Sequence, residues 1–85
     1  MKFTKTNLDK LERFCQDAGY KVRYEKGNFQ SGYCIVEQQK VVVLNKFFDL
    51  EGRINTLIDI LPLLDIPNEA WTEANKALYK KMESE

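Results

Sequence analysis

The middle of the chain alternates apolar and polar residues in the manner of β-strands. Side chains on a strand point alternately to the two faces of a sheet, so Tyr20 and Tyr24 are predicted to face a core. Lys21 and Arg23, which alternate with them, are predicted to face solvent. Two later segments also have the composition of strands. The three predicted strands are residues 20–25, 33–37 and 41–45.

The segments on either side of these strands repeat their apolar residues every three or four positions, as one face of a helix does. Thr6, Asp49 and Asn68 are suitable N-caps for three such segments. Gly19 is placed to end the first helix and Pro62 to end the second. The predicted helices cover residues 6–18, 50–61 and 69–82.

Together these elements predict one small α+β domain over residues 1–85, in the order α-β-β-β-α-α. We expect a three-stranded antiparallel meander packed against the helices, since residues 38–40 suit a short hairpin connection. The connection at residues 63–67 is compatible with a third helix that packs in cis or is exchanged between two chains.

The third predicted strand differs from the others because residues 41–44 are all apolar. In an antiparallel sheet such a run needs cover on both faces, and helices on one face cannot provide it. This pattern predicts a homodimer formed through the sheet, or contact with another protein. Ordinary core packing is the alternative explanation for the two phenylalanines that follow the strand. The predicted interface residues are Val41, Val42, Val43, Leu44, Phe47 and Phe48.

Composition narrows the class of partner and the location. The formal net charge is zero, although residues 1–27 carry a net charge of +3 and residues 47–85 a net charge of −4. This division favours head-to-tail contacts or pairing within the chain over tight binding to a polyanion. No signal peptide or membrane-spanning run is predicted, and a cytoplasmic location is expected. Cys15 and Cys34 are therefore expected to be free thiols.

The chain contains no histidine, which argues against several kinds of chemistry. Structural zinc sites and Ser–His–Asp or Cys–His nucleophile systems depend on that residue or on closely spaced cysteines. Asp49 with Glu51, or Asp59 with Asp65, could act as acid and base. These carboxylates are explained more simply as helix start signals and a solvated helix face. We therefore expect a protein that is not an enzyme and that needs no cofactor.

A nucleic-acid-binding domain is the second interpretation, and a thiol enzyme based on Cys34 is a third. Cations next to aromatic side chains on a sheet bind single-stranded nucleic acids by neutralisation and stacking. The alternation of the first strand weakens this interpretation, because it places the tyrosines on the face opposite the cations. The residues predicted to contact a nucleic acid are Lys21, Arg23, Lys26 and Phe29.

Residues 23–27 (RYEKG), 32–34 (GYC) and 40–46 (KVVVLNK) occur in an order that resembles a group of small bacterial α+β proteins. These proteins share the order RYEKG, GGYC, KVVVINK and a helix, and the likeness covers about residues 8–61. The resemblance implies membership of that family and no particular mechanism.

Residues 53–62 (RINTLIDILP) are more remotely similar to the helix of HExxH zinc peptidases related to phage-immunity regulators. In that alignment the two histidines fall on Ile58 and Pro62, and the glutamate falls on Asp59. The resemblance therefore implies a scaffold that has lost both its metal ligands and its peptidase activity.

Overall fold

The structure is a computed structural model that describes residues 1–26 and 32–84, and it confirms the α+β class. Three helices and a three-stranded sheet make up the described part, joined by three single turns of 3₁₀-helix. The helices are α1 (Lys5–Asp17), α2 (Leu50–Ile60) and α3 (Glu73–Glu83), the strands are β1 (Lys21–Glu25), β2 (Tyr33–Val36) and β3 (Val41–Asn45), and the 3₁₀ turns are Glu37–Gln39, Leu61–Leu63 and Asn68–Ala70.

Helix α1 begins earlier than the sequence pattern suggested. Its N-cap is Thr4, whose side chain accepts a hydrogen bond from the backbone N–H of Asn7 at 3.1 Å. The predicted cap, Thr6, was wrong because that residue lies inside the first turn. The earlier start also brings Lys5 and Asp9 onto one face of the helix, where their side chains pair at 2.6 Å.

The C-terminal end of α1 follows the prediction. Gly19 has a φ of +92°, which an L-residue rarely adopts. Its N–H donates to the carbonyl of Gln16, and the N–H of Tyr20 donates to the carbonyl of Cys15. These two bonds form a Schellman motif, which satisfies the last carbonyls of the helix and turns the chain directly into β1.

Strand β3 lies in the centre of the sheet, so the predicted antiparallel meander was wrong. The strand order is β1-β3-β2, with β1 parallel and β2 antiparallel to β3. In a meander the middle strand would be β2. The continuous apolar run of β3 explains the difference, because a central strand is buried on both faces and pairs along both edges. Strand β2 and the 3₁₀ turn Glu37–Gln39 lie in the connection between β1 and β3, which is longer than a hairpin turn, as a parallel pair requires.

One face of the sheet, which we call the inner face, packs against the helices. Val42 and Leu44 have no exposed surface there, and Ile35 and Tyr24 lie beside them in register. Each fully buried aliphatic side chain contributes about 1.5–3 kcal/mol relative to an exposed one. The helical residues with no exposed surface that complete this core are Leu11, Phe14, Cys15, Ile54, Leu57 and Ile60.

Helix α2 begins as predicted. The side chain of Asp49 accepts a hydrogen bond from the N–H of Gly52 at 2.8 Å, which caps the helix. The α-helix ends at Ile60, and Pro62 lies in the 3₁₀ turn that follows, in agreement with its missing N–H. Within residues 1–26 and 32–84, none of the helices is long and apolar enough to cross a membrane.

Helix α3 starts later than expected, and the predicted cap Asn68 was wrong. Asn68 begins a 3₁₀ turn, and the true N-cap is Thr72, whose hydroxyl accepts from the N–H of Asn75 at 3.1 Å. Trp71 lies between the 3₁₀ turn and α3 with a φ of −82° and a ψ of 62°, which is not helical. Its ring packs edge-on against Phe14, with 5.4 Å between centroids.

The third helix packs in cis, on α1 of the same chain. Asn75 is a buried polar residue whose side-chain N–H₂ donates to Asp17 at 3.0 Å and to the carbonyl of Ala70 at 2.7 Å. Phe14 of α1 also contacts Tyr79 of α3, with 6.3 Å between the ring centroids. The sequence had left open a cis or an exchanged arrangement.

Candidate interaction surface

The second face of the sheet, which we call the outer face, consists of the strand positions that alternate with the core. Val41 and Val43 are its centre. Each is 8% exposed, and both lie outside the core cluster that the helices form with the inner face. The register fixes their neighbours. The outer face carries Lys21, Arg23 and Glu25 on β1, Val41 and Val43 on β3, and Cys34 and Val36 on β2.

The predicted interface residues of β3 therefore divide between the two faces. Val41 and Val43 belong to the outer face, whereas Val42 and Leu44 lie in the core with no exposed surface. Because both edges of β3 are already paired, a partner could not add to this strand by backbone hydrogen bonding. A contact through β3 would have to use the outer face.

The two predicted aromatic residues after β3 also have different surroundings. Phe47 is 69% exposed, and the side-chain nitrogen of Lys46 lies 5.4 Å from its ring centroid. Phe48 is half-buried and packs against Gly32 and Gly52. Gly32 has a φ of +83°, and a Cβ at that position would overlap the Phe48 ring. Phe48 is thus part of the packing, and Phe47 alone projects from this turn.

The turn that presents Phe47 is held by a cluster that the sequence analysis did not identify. Arg53 donates from Nε to the carbonyl of Phe48 at 3.0 Å and from a terminal nitrogen to the carbonyl of Lys46 at 3.2 Å. Its guanidinium carbon also lies 4.5 Å from the ring centroid of Tyr24. The two hydrogen bonds are local in sequence, whereas the contact with Tyr24 joins the start of α2 to β1.

Tyr24 links the same cluster to α1. Its hydroxyl donates to the carboxylate of Glu12, and burial together with this bond raises the pKa of the Tyr24 phenol. The hydroxyl is therefore protonated throughout the physiological range and acts as a hydrogen-bond donor. These contacts explain the cluster as structural, since each member binds another part of the fold.

A second polar cluster lies at the opposite end of β1. The Tyr20 hydroxyl donates to Glu37, with distances of 3.0 and 2.8 Å to its two carboxylate oxygens, and accepts from the N–H of Asp65 at 3.1 Å. Lys40, in the left-handed conformation with a φ of 53°, lies over the Tyr20 ring at 4.9 Å. The cluster fixes the β2–β3 connection and the segment after α2, and sequence spacing gives no sign of it.

The residues of the nucleic-acid interpretation are only partly brought together. Lys21 and Arg23 are exposed on the outer face of β1, and Lys26 is exposed just beyond the strand. The Arg23 guanidinium lies 3.6 Å from the Glu25 carboxylate, so one acid offsets part of this charge. Phe29 lies outside the described residues. Tyr20 and Tyr24 belong to the inner side, as the alternation predicted.

The two cysteines have opposite environments. Both are free, but Cys15 has no exposed surface, whereas Cys34 is exposed on the outer face. Burial, with a smaller contribution from Glu12, raises the pKa of the Cys15 thiol to about 12. Cys15 therefore behaves as a small core residue, and Cys34 is the accessible thiol.

The candidate acid–base carboxylates are not arranged as a site. Asp49 is occupied as the N-cap of α2, and Asp65 lies 3.6 Å from the side-chain nitrogen of Lys40. Asp59 is exposed on the face of α2 away from the core. Across residues 1–26 and 32–84, no group of three or more acidic or cysteine side chains is placed to hold a metal ion.

No family model, curated protein or solved structure matches the chain. The two resemblances noted in the sequence stay predictions. The outer face combines an apolar centre on β3 with a charged border on β1.

Proposed function

We propose that this protein is a non-enzymatic interaction module that forms a homodimer through the outer face of its sheet. The observation that carries the proposal is that the helices cover the inner side chains of β3 and not its outer side chains. The helices bury its inner side chains, whereas its outer side chains lie outside that core, beside exposed Cys34 and half-buried Val36. Two copies stacked face to face would give each sheet a second layer.

The composition of the outer face supports a protein partner. Its centre is apolar, and its border on β1 carries Lys21, Arg23 and Glu25, an arrangement that resembles the apolar core and polar rim of an interface. The stems of Lys21 and Arg23 can cover the valines in the monomer and move aside in a complex. Exposed Phe47 extends the contact area beyond the end of β3.

The size of this face predicts a weak dimer. Three strands about 4.8 Å apart, of which the longest have five residues at about 3.3 Å each, give a patch of at most roughly 14 by 17 Å. Standard stable interfaces bury about 800 Å² per partner, which is considerably more. We therefore expect an equilibrium between monomer and dimer with a dissociation constant in the micromolar range or weaker, rather than a permanent assembly.

The proposal is tested by native mass from light scattering across a dilution series. The wild-type mass should rise from that of one chain towards that of two as the concentration increases. Val43→Lys should remain a folded monomer throughout, because it places a charge at the centre of the outer face. Asn55→Lys adds the same charge at an exposed position of α2 and should dimerise as the wild type does. A wild-type monomer at all concentrations would refute the proposal.

A cytoplasmic location is part of this proposal. An exposed free thiol such as Cys34 is compatible with a compartment that keeps thiols reduced. Expression in an oxidising compartment should produce disulfide-linked chains through Cys34, and the Cys34→Ser variant should abolish them.

Single-stranded nucleic-acid binding is the alternative, favoured by the exposed cations on β1 and by Lys46 beside Phe47. It would use the same face, so the two functions would compete. This alternative predicts a retarded oligonucleotide at low salt and weaker retardation with Lys21→Ala plus Arg23→Ala. Absence of retardation for every oligonucleotide at low salt would reject it.

A further inference from the structure

A groove of about 610 Å³ runs along the surface between α1 and α3. The two helices are antiparallel, since Asn75 near the start of α3 bonds to Asp17 at the end of α1. Thr6 and Lys10 of α1 form one wall opposite Leu78 of α3. The groove shares no residue with the outer face of the sheet, and it is independent of the proposed dimer.

The charged residues of the groove differ in whether they form ion pairs. Its two acids each lie beside a cation, since Asp9 pairs with Lys5 at 2.6 Å and Asp17 pairs with Arg13 at 3.5 Å. By contrast, Lys10 and Lys81 both line the groove, and within the described residues neither forms an ion pair. The electrostatic field that the groove offers to a ligand is therefore positive, and it selects for acidic groups.

The shape of the groove favours a helix over a small molecule. Small-molecule sites enclose most of the ligand surface, whereas this groove is lined by exposed side chains, including those of Ala74 and Ala77. Their small size allows a partner to approach α3 closely. The 11 residues of α3 give a length of roughly 16 Å, which corresponds to three turns of a docked helix.

We propose that this groove binds an acidic amphipathic helix of a partner protein. The apolar side of that helix would contact Ala74, Ala77 and the edge of Leu78. Carboxylates that flank the apolar side would pair with Lys10 and Lys81. This is the helix-in-groove mode of recognition, in which apolar anchors at helical spacing give affinity and charges give specificity.

The test uses the full chain and a fluorescein-labelled helical peptide of about 14 residues, long enough for three turns. Leucine occupies the i, i+3, i+4 and i+7 positions and glutamate the others, and a second peptide carries lysine in place of glutamate. Fluorescence anisotropy should show saturable binding of the glutamate peptide, weakened by salt, and much weaker binding of the lysine peptide.

Two sets of variants locate the binding. Lys10→Glu plus Lys81→Glu should weaken binding roughly tenfold or more, since two attractive charge contacts become repulsive. Ala77→Arg should block the groove without altering a buried residue. Lys21→Glu plus Lys46→Glu, at two exposed lysines outside the groove, makes the same change in net charge and should leave binding unchanged.

Three results would overturn the proposal. The first is no saturable binding of the glutamate peptide below about 1 mM. The second is equal affinity for the two peptides. The third is binding that survives the groove variants or is lost in Val43→Lys, which would assign it to the outer face of the sheet instead.

Discussion

The two faces of the sheet carry similar side chains at the centre but have different surroundings. Val42 and Val43 are consecutive valines of the same strand, and they differ only in the face to which they point. Val42 has no exposed surface and packs in the core that the helices complete, whereas Val43 is 8% exposed and lies outside that core. The difference arises from strand alternation and from the packing of the helical core against one face of the sheet.

An apolar run in a strand can therefore have two separate causes. Val42 and Leu44 are apolar because the domain needs a core. Val41 and Val43 are apolar in part because β3 is central, so that Lys21, Arg23, Cys34 and Val36 surround them in register. The part of their apolar surface that these neighbours leave exposed is what a second copy of the chain would cover.

Substitution of each of the two valines by lysine should give the largest difference in stability. Val42→Lys places a charge in the core and should cost more than about 4 kcal/mol. A domain of this size has roughly 3–5 kcal/mol of net stability, so the variant should be unfolded. Val43→Lys should stay folded and lose about 1 kcal/mol, because its ammonium group can reach solvent. Urea denaturation followed by circular dichroism measures both, and equal losses would contradict the assignment of faces.

Next in size is a contrast between two glycines with positive φ. Gly32→Ala should lose roughly 2–4 kcal/mol, because it combines backbone strain with overlap between the new methyl group and the Phe48 ring. Gly19→Ala has the strain alone, since nothing lies within 4 Å of the added carbon, and should lose about 1 kcal/mol. Thermal unfolding measures the loss of stability in both variants. A larger loss for Gly19→Ala would disprove the packing of the Phe48 ring against Gly32.

The polar cluster at the start of β1 provides a smaller effect. Tyr20→Phe removes the hydroxyl that bonds to Glu37 and to the N–H of Asp65, and it should lose about 1–3 kcal/mol. Tyr79→Phe is the matched control, since within the described residues the Tyr79 hydroxyl forms no hydrogen bond. Urea denaturation of both variants should show a loss for Tyr20 alone. Equal changes would mean that the cluster does not stabilise the fold.

The smallest expected change is in the pH dependence of the free energy of unfolding, and it comes from the core cysteine Cys15. The pKa of Cys15 is raised from 9.0 to about 12 in the folded chain, so only the unfolded chain ionises this thiol above pH 9. The stabilisation is complete below pH 9 and is lost as the pH rises towards 12. Between pH 8 and pH 10 the free energy of unfolding should fall by roughly 1 kcal/mol because of this group.

Cys15→Ala isolates this contribution. The variant is less stable because it leaves a small cavity, but its decline in stability between pH 8 and pH 10 should be shallower than that of the wild type. Parallel curves for Cys15→Ala and the wild type would contradict the buried, neutral state of the Cys15 thiol.

Much of the fold could be predicted from local signals. The spacing of apolar residues, Gly19 and the Asp49 cap located α1 and α2, and alternation identified the inner side of β1. The order of the strands could not be predicted in this way, because alternation shows which face a residue occupies and not which strand lies beside it. The start of α3 was misplaced because both Asn68 and Thr72 are suitable N-caps, and the local pattern does not show that Asn68 begins a separate 3₁₀ turn.

Only part of the candidate surface could be predicted from the sequence, for the same reason. The apolar run marked β3, but the separation of Val41 and Val43 from Val42 and Leu44 requires knowledge of the side on which the helices pack. Cys34 and Val36 join the outer face through the antiparallel register with β3, which the sequence does not determine. The contact between Arg53 and the Tyr24 ring is likewise tertiary.

The alkylation rate of Cys34 as a function of protein concentration directly tests whether the outer face forms the dimer. Cys34 reports on the outer face, and Cys15 does not react while the chain is folded, because it is buried and neutral. If the outer face forms the dimer, the rate should fall as the wild-type concentration rises and stay constant for Val43→Lys. A rate that is independent of concentration, in a sample whose native mass shows dimers, would place the dimer contact elsewhere and contradict the account.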